Sequence, residues 1–425
     1  MATHPIISED VPAGTEPRRL LMLAYWYPPV NESGALRPYR FCKYLGECGY
    51  QSLVVTASRD SASEPAPMVI RTPNAHGQNR SAARAAGFIR GLQRLLPYSD
   101  CLEWVPHAVT ASSPLLGRGD VPVIVSTSPP VATHVAALWL KRRHRVGWIA
   151  DFRDPLVGNP FRSRVHGRLY DAFLERRIMS RADAVIVNTD AALESLGSRY
   201  PGLRHKLHLI WNAYDPEDEI KPAPIPPRAY RLMAHFGSIY GGRHPGILLN
   251  SLDRLMRRGQ VDPEKIRVSL VGSIDHDTPW ASASAFMDLA NRGCLEYTNR
   301  VLPRDEARRL MGEADYLLLL DLNEHGTGLQ VPAKIFEYVR VGRPILTFTT
   351  VNSPAERLLR QSGVPHVCVY PEDTNDEVDR KVLALVSLPS NPVTPSQSFA
   401  DQFDARKQTR SLAEVLSSVA MSLGK

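Results

Sequence analysis

The pattern of apolar and polar positions divides the chain into short strands alternating with helices. Residues 20–26 (LLMLAYW) form the first apolar run, and the turn-rich stretch PPVNESG follows it. A helix is expected from about 35 to 48. Phe41, Tyr44, Leu45 and Cys48 fall there at i, i+3, i+4 and i+7 and make one apolar face. Residues 52–56 (SLVVT) read as a second strand. Further runs at 121–125, 147–150, 184–187 and 207–210 have helices between them, at 131–143 and 191–200 among others. Strands that alternate with helices pair in parallel, with helices on both faces of the sheet.

A proline-rich stretch, IKPAPIPPR at 220–228, suits an extended linker. Alternation then restarts with strands at 231–236, 267–271, 316–320, 344–348 and 366–369, and a helix at 247–258. The expected fold class is α/β, with two Rossmann-like doubly wound domains facing across a cleft. The expected divisions are a polar lead-in at 1–17, a first domain at 18–219, a linker at 220–229 and a second domain at 230–398. One helix at 399–425 has the option of packing back on the first domain. Ligands of such sheets bind beyond the C-terminal ends of the strands.

Composition narrows the class. The chain has 425 residues, 43% hydrophobic and 22% charged, with a mean hydropathy of −0.22. That excludes a mainly disordered, collagen-like or membrane-embedded chain. The five cysteines are odd in number and lack CxxC spacing, so reduced thiols are expected. The opening MATHPIISEDVPAGTEP has no apolar core, unlike a signal peptide. No run approaches the roughly 18–20 apolar residues of a membrane span. A cytoplasmic protein is expected, with peripheral attachment to the inner face of a membrane as a variant.

The net charge of +7 is compatible with phosphate-bearing ligands, acidic membranes or nucleic acid. Most of the excess lies at 80–145, with nine basic and three acidic residues. Within it, 80–96 (RSAARAAGFIRGLQRLL) reads as an amphipathic helix able to rest on an anionic membrane or to pack on its own domain. KRRHR at 141–145 either adds to that patch or ends its helix favourably for the dipole. No DNA- or RNA-binding motif accompanies these charges, so a nucleic-acid partner is not expected.

Four loops carry candidate chemistry. In PPVNESGALRP, Ser33 and Gly34 precede a helix N-terminus, where free N–H groups attract anions. In DFRDP, Asp154 is a candidate acceptor for a substrate hydroxyl, and Arg153 either faces an anion or orients Asp154. In GSIYGGRHPG, Gly237, Gly241 and Gly242 permit a close backbone loop, and Arg243 is a fixed positive charge for a diphosphate. In GTGLQVPAKIFEYVRVGRPIL, Gly326, Thr327 and Gly328 form a loop able to face ligand, and Pro332 suits a first helical turn. Lys334 and Glu337 share a helix face, where Glu337 can accept both hydroxyls of a ribose and Lys334 can neutralise phosphate. Gly342 ends that helix.

The pattern PxKxxEYxxxGxPIL, set by Pro332, Lys334, Glu337, Tyr338, Gly342, Pro344, Ile345 and Leu346, resembles the retaining glycosyltransferases of family 4, with the GT-B fold. The resemblance extends to YWYPPVNESGALRPYRFCKYL, STSPP, DFRDP, VNTDA, IWNAYD, FGSIYGGR and ADYLLLL. It implies transfer of a sugar from a nucleotide diphosphate, a UDP-sugar first, to an acceptor hydroxyl with retained configuration. Polysaccharide or glycoconjugate synthesis is the implied setting, with a glycan, lipid-linked or small-molecule acceptor. Gly34, Gly237, Ser238, Arg243, Thr327, Gly328, Lys334 and Glu337 become donor-binding residues, with Arg300, Val301 and Leu302 on the base. Arg243, Lys334 and Asp154 become the catalytic set, and Arg153 with Asp154 matches the family's histidine–acid pair. The first glutamate of the family's paired-glutamate motif falls at Leu329, so Thr327, Gly328 and Gln330 are expected on the sugar side. No cofactor and no metal are expected, and DHD at 275–277 reads as a plain turn. The alternatives are a nucleotide-sugar epimerase on the same fold and a non-catalytic nucleotide-sugar-binding partner.

Overall fold

The computed structural model describes residues 17–30, 32–58, 68–73, 88, 100–162, 165–218, 220, 222–240, 243–274, 283–321 and 328–423. The chain divides into two compact units, Met1–Asp215 with Asp404–Lys425, and Pro216–Phe403.

The first unit is built from strands β1 (Arg18–Ala24), β2 (Tyr50–Ser58), β3 (Val69–Pro73), β4 (Val123–Ser128), β5 (Gly147–Phe152), β6 (Ala184–Val187) and β7 (Leu207–Leu209). Its helices are α1 (Leu36–Tyr44), α2 (Val105–Leu116), α3 (Ala132–Arg143), α4 (Gly167–Arg181) and α5 (Asp190–Arg199). Among the described residues the sheet order is β3-β2-β1-β4-β5-β6-β7, with every pair parallel. The reason is visible in β1. Leu21 and Leu23 join the core on one face, and Leu20, Met22 and Ala24 join that on the other. A strand buried on both faces must be apolar at every position, which LLMLA is.

The second unit contains β8 (Arg231–Phe236), β9 (Ile266–Val271), β10 (Leu295–Thr298), β11 (Tyr316–Leu320), β12 (Ile345–Phe348) and β13 (His366–Val369). Its helices are α6 (Gly246–Arg257), α7 (Ser284–Asn291), α8 (Arg304–Glu313), α9 (Lys334–Val341), α10 (Pro354–Ser362), α11 (Asn375–Ser387) and α12 (Gln397–Gln402). The sheet order is β10-β9-β8-β11-β12-β13, again parallel. Both sheets therefore reverse direction once, between β1 and β4 and between β8 and β11. Such a reversal leaves the loops at the strands' C-terminal ends splayed, which is where these sheets bind ligands.

The expected fold class is the one found, two parallel-sheet α/β domains. Three local differences have physical causes. The helix expected at 35–48 is α1 flanked by 3-10 turns at Ser33–Ala35 and Leu45–Cys48. Pro332 does not occupy the first turn of α9. It precedes the cap residue Ala333, and its carbonyl accepts the Ile335 N–H at 3.1 Å. The final segment is two helices, α12 and α13 (Ala405–Leu423). Asp404 breaks it by accepting the Arg406 N–H at 2.6 Å, while the Ala405 N–H goes to Tyr214 O at 3.0 Å. Leu412, Val415, Leu416 and Val419 of α13 then pack on Leu20, Met22 and Ile149 of the first sheet.

Gly342 caps α9 in the left-handed region, at φ 75°. A Cβ there would lie 2.3 Å from Val393 O, whose residue also donates its N–H to Gly342 O at 2.9 Å. Gly342→Ala therefore meets strain and a backbone clash together. It is expected to lower the thermal midpoint of the second unit by roughly 4 °C or more. An unchanged midpoint in scanning calorimetry would contradict this account.

Candidate functional site

In the first unit the loops beyond β1, β4 and β5 are held by two arginines. Arg37 of α1 and Asp151 of β5 form a buried ion pair at 2.8 Å. Arg37 also donates to Ile210 O and Trp211 O, each at 2.8 Å, and Thr127 donates to Asp151 at 2.8 Å. Burial alone would raise the Asp151 pKa, but Arg37, and then Thr127, hold it below the usual carboxylate range.

Arg153, expected either to face an anion or to orient Asp154, is held by backbone carbonyls. Its Nε donates to Ser128 O at 2.9 Å, one terminal nitrogen to Gly34 O at 2.6 Å, and the other to Pro129 O. A guanidinium buried against three carbonyls is a strut between loops and does not face an incoming anion. Asp154 is half-buried beside it, and its charge opposes the lowering that burial imposes on Arg153. Gly34 has a structural reason as well. A Cβ there would lie 2.7 Å from Arg153 Nη1 and 3.2 Å from Trp26 Cδ1.

In the second unit the loops beyond β8 and β11 converge. Arg243 donates to the Tyr240 hydroxyl at 2.9 Å and to Gln330 Oε1 at 3.4 Å, and lies 4.0 Å from Asp321. Gln330 is buried, and among the described residues its Nε2 has no hydrogen-bond partner. Asp321 accepts from Thr349 at 2.9 Å. Gly237 and Ser238 run beside the turn after β9. A Cβ on Gly272 would fall 2.0 Å from Gly237 O, and Ser273 donates to Ser238 at 2.8 Å. Tyr338 fixes the start of this loop, because its hydroxyl accepts the Phe236 N–H at 2.9 Å.

Lys334 and Glu337 meet as their spacing requires, at 2.8 Å. Glu337 is buried, while the Lys334 side chain is 36% exposed and keeps donors for a ligand. Two arginines that sequence reasoning missed complete this cluster. Arg304 and Arg308 of α8 each place Nε 3.9 Å from Glu337 Oε1, and both donate to Asp218 at 2.6 Å. Their i, i+4 spacing was the available signal. Burial would raise the Glu337 pKa, but Lys334, Arg304 and Arg308 pull it down, so the carboxylate stays ionised.

The remaining candidates scatter. Arg300 and Val301 are exposed in the loop after β10, Leu302 is buried, and Arg300 sits 3.4 Å from Glu306. Gly328 lies near Thr350, where a Cβ would be 3.1 Å from Oγ1. Gly241, Gly242, Gly326, Thr327, residues 275–277 and the 80–96 segment apart from Phe88 lie outside the described residues. Among the described residues no three of His, Cys, Asp and Glu gather to hold a metal.

With this geometry in view, the chain is similar in fold to several solved structures. Sucrose-phosphate synthase of Thermosynechococcus elongatus superposes with a TM-score of 0.63 at 13% identity, covering 96% of this chain and 97% of that one. The Anabaena protein HepE, in complex with UDP and glucose, gives 0.64 at 15% identity over 94% and 99%. The UDP-forming α,α-trehalose-phosphate synthase of Burkholderia xenovorans, in complex with glucose-6-phosphate, gives 0.60 at 12% over 94% and 100%. These likenesses define the class of fold, that of GT-B glycosyltransferases. Residues 35–213 match the model of the glycosyl transferase 4-like domain. No curated protein sequence matches the chain.

Two buried histidines face these loops from within. His134 Nδ1 lies 2.8 Å from Ser126 Oγ, and burial lowers its pKa to about 3. His235 Nδ1 lies 2.9 Å from Leu318 O, and burial lowers its pKa to about 4. Both are neutral in the folded chain, whereas unfolded histidine takes a proton near 6.5. The unfolded state thus binds more protons as pH drops below about 6.5. This contribution is complete above that pH and declines by about 1.4 kcal/mol per unit for each histidine as pH falls towards the folded values. The thermal midpoint is expected to start falling below pH 6.5, with a shallower slope in His134→Gln. A midpoint flat from pH 6.5 to 5 would refute the assignment.

Proposed function

We propose that this chain is a retaining glycosyltransferase. It moves a sugar from a nucleotide-diphosphate donor, a UDP-sugar first, onto an acceptor hydroxyl in polysaccharide or glycoconjugate synthesis. The observation that carries the reading is the convergence of Arg243 and Gln330, from loops on either side of the β8/β11 reversal, next to the helix that bears Lys334 and Glu337. Two further supports are the glycosyl transferase 4-like match over residues 35–213 and fold neighbours whose structures hold UDP or are named as UDP-forming.

In this reading Arg243 and Lys334 grip the diphosphate, and Glu337 accepts the ribose hydroxyls. The Gln330 Nε2 donor and the Gly328 turn stand where the sugar is recognised, in place of the carboxylate that Leu329 lacks. The reaction needs no protein nucleophile. The acceptor attacks the face that the diphosphate leaves, and a departing phosphate oxygen takes its proton. Catalysis then comes from positioning and from donors aimed at the charge that grows on the leaving group. Asp154 orients the acceptor. Arg243 and Lys334, with Arg304 and Arg308 near Glu337, supply positive charge that a divalent cation brings to other such sites. We infer a reaction without a metal.

Arg243→Ala is expected to lower kcat on the order of 10²–10³-fold with the fold intact. Glu337→Gln is expected to weaken donor binding more than turnover. Calorimetric titration with UDP, then nucleotide release dependent on an acceptor, measures both. Near-wild-type turnover in Arg243→Ala would end this assignment, and acceptor-free isomerisation of the sugar would replace it with an epimerase.

Turnover is expected to persist in excess chelator. Loss of activity with chelator, restored by a divalent ion, would reverse the metal-free inference.

A further inference from the structure

The neighbouring helices α3 and α4, which pack against each other, carry large apolar side chains that are exposed among the described residues. Trp139 of α3 is 63% exposed. On α4 and the turn before it, Val165 is 72% exposed, Leu169 83% and Phe173 66%. Val165, Leu169 and Phe173 are four apart, so they form one stripe along the helix. Burying any of them on the sheet would have been favourable, and isolated exposed apolar groups are ordinary. A stripe of three on one helix, with an exposed tryptophan on the helix packed against it, is a candidate patch, and patches mark interaction surfaces.

The charges around the stripe choose its occupant. Arg142, Arg168 and Arg176 are exposed beside it. The only acids of α4 are Asp171 and Glu175, and both are buried. Asp171 pairs with Arg162 at 2.5 Å and Glu175 pairs with Arg199. Helix α3 has no acid at all. The outward face is therefore apolar and cationic, because α3 has no acid and both acids of α4 are turned inward. A second copy of the same face would bring like charges together. A nucleic acid would leave the leucine and phenylalanine without a partner. An anionic lipid surface satisfies both components, because the apolar stripe enters the headgroup boundary and the arginines meet lipid phosphates.

We propose that the outer face of α3 and α4 docks the protein on an anionic lipid bilayer. The contact is peripheral, since among the described residues no helix is long and apolar enough to cross a membrane. It uses described side chains outside the 80–96 segment and does not depend on the glycosyl-transfer reading, so a failure of either leaves the other standing.

Flotation of the full chain with vesicles tests it. Binding is expected to vesicles of equal parts phosphatidylglycerol and phosphatidylcholine at low salt, and not to phosphatidylcholine alone. The double variant Leu169→Glu, Phe173→Glu is expected to bind at least tenfold more weakly, with an unchanged thermal midpoint because both side chains are exposed. Arg168→Glu with Arg176→Glu is expected to weaken binding by a similar or larger factor and to reduce its salt dependence. Failure of the wild type to bind anionic vesicles would overturn the proposal. Wild-type flotation of the Leu169, Phe173 variant would also overturn it and move the contact to another surface. A dimer in sedimentation that this variant dissociates would assign the face to a second copy instead.

Discussion

The first unit depends on one buried ion pair. Arg37 and Asp151 are 5% and 1% exposed at their side chains, and an isolated ion at that depth would be costly. The pair survives because its remaining hydrogen-bonding capacity is also used. Arg37 reaches both oxygens of Asp151 and the carbonyls of Ile210 and Trp211, and Thr127 completes the carboxylate. Removing one member of such a pair typically costs about 3–5 kcal/mol, mostly from the charge left behind. The start of α1, the ends of β4 and β5 and the exit of β7 are therefore fixed by a single constellation. Arg153 extends it, since two residues beyond Asp151 its guanidinium is set between Gly34, Ser128 and Pro129. The loops beyond the sheet are rigid because their backbone carbonyls are occupied by fixed cations.

The second unit solves the same problem with backbone approach and neutral hydrogen bonds. Gly272 meets Gly237 at a distance no side chain would permit, and Tyr338 anchors Phe236 from the helix behind. Its cations Arg243 and Lys334 are less deeply buried than Arg37 of the first unit. Arg243 is braced by Tyr240 and Gln330, and Lys334 remains more than a third exposed. A preorganised cation costs little reorganisation when charge develops near it, which is the property a diphosphate leaving group requires.

Much of this architecture was legible in the chain. Strands buried on both faces announce themselves as unbroken apolar runs, and the cores of β1, β6 and β11 were found that way. The edge strands β3 and β10 were not. VIRTP and LEYT are short, mix polar with apolar residues and include exposed positions, so neither period stands out. The Lys334–Glu337 spacing predicted the contact those two side chains make, at 2.8 Å. Arg37 was invisible for a different reason. Within ALRPYRF it reads as a solvated helix residue, and its partner lies 114 positions away. Arg153 was noticed for its charge, and only the surrounding carbonyls reveal its role as a strut. A sequence shows which residues are unusual, but partnership over long separations is a property of the fold.

The same distinction reorganises the charge of the chain. A net charge of +7 suggests one electrostatic character, yet the arginines divide by what surrounds them. Arg37 and Arg153 are buried and matched by carboxylates and carbonyls, so they contribute rigidity and almost no external field. Arg304 and Arg308 are shared between Asp218 and Glu337, which keeps Glu337 ionised. Arg142, Arg168 and Arg176 stand in solvent, and the two carboxylates of α4 are buried away from them. Of these three sets, the last projects a field far enough to attract a large anionic partner, because exposed charges act over about a Debye length and buried pairs cancel within their own contact. The excess that matters for association is thus set by where the acids are buried: folding Asp171 and Glu175 inward leaves the outer face of α4 cationic.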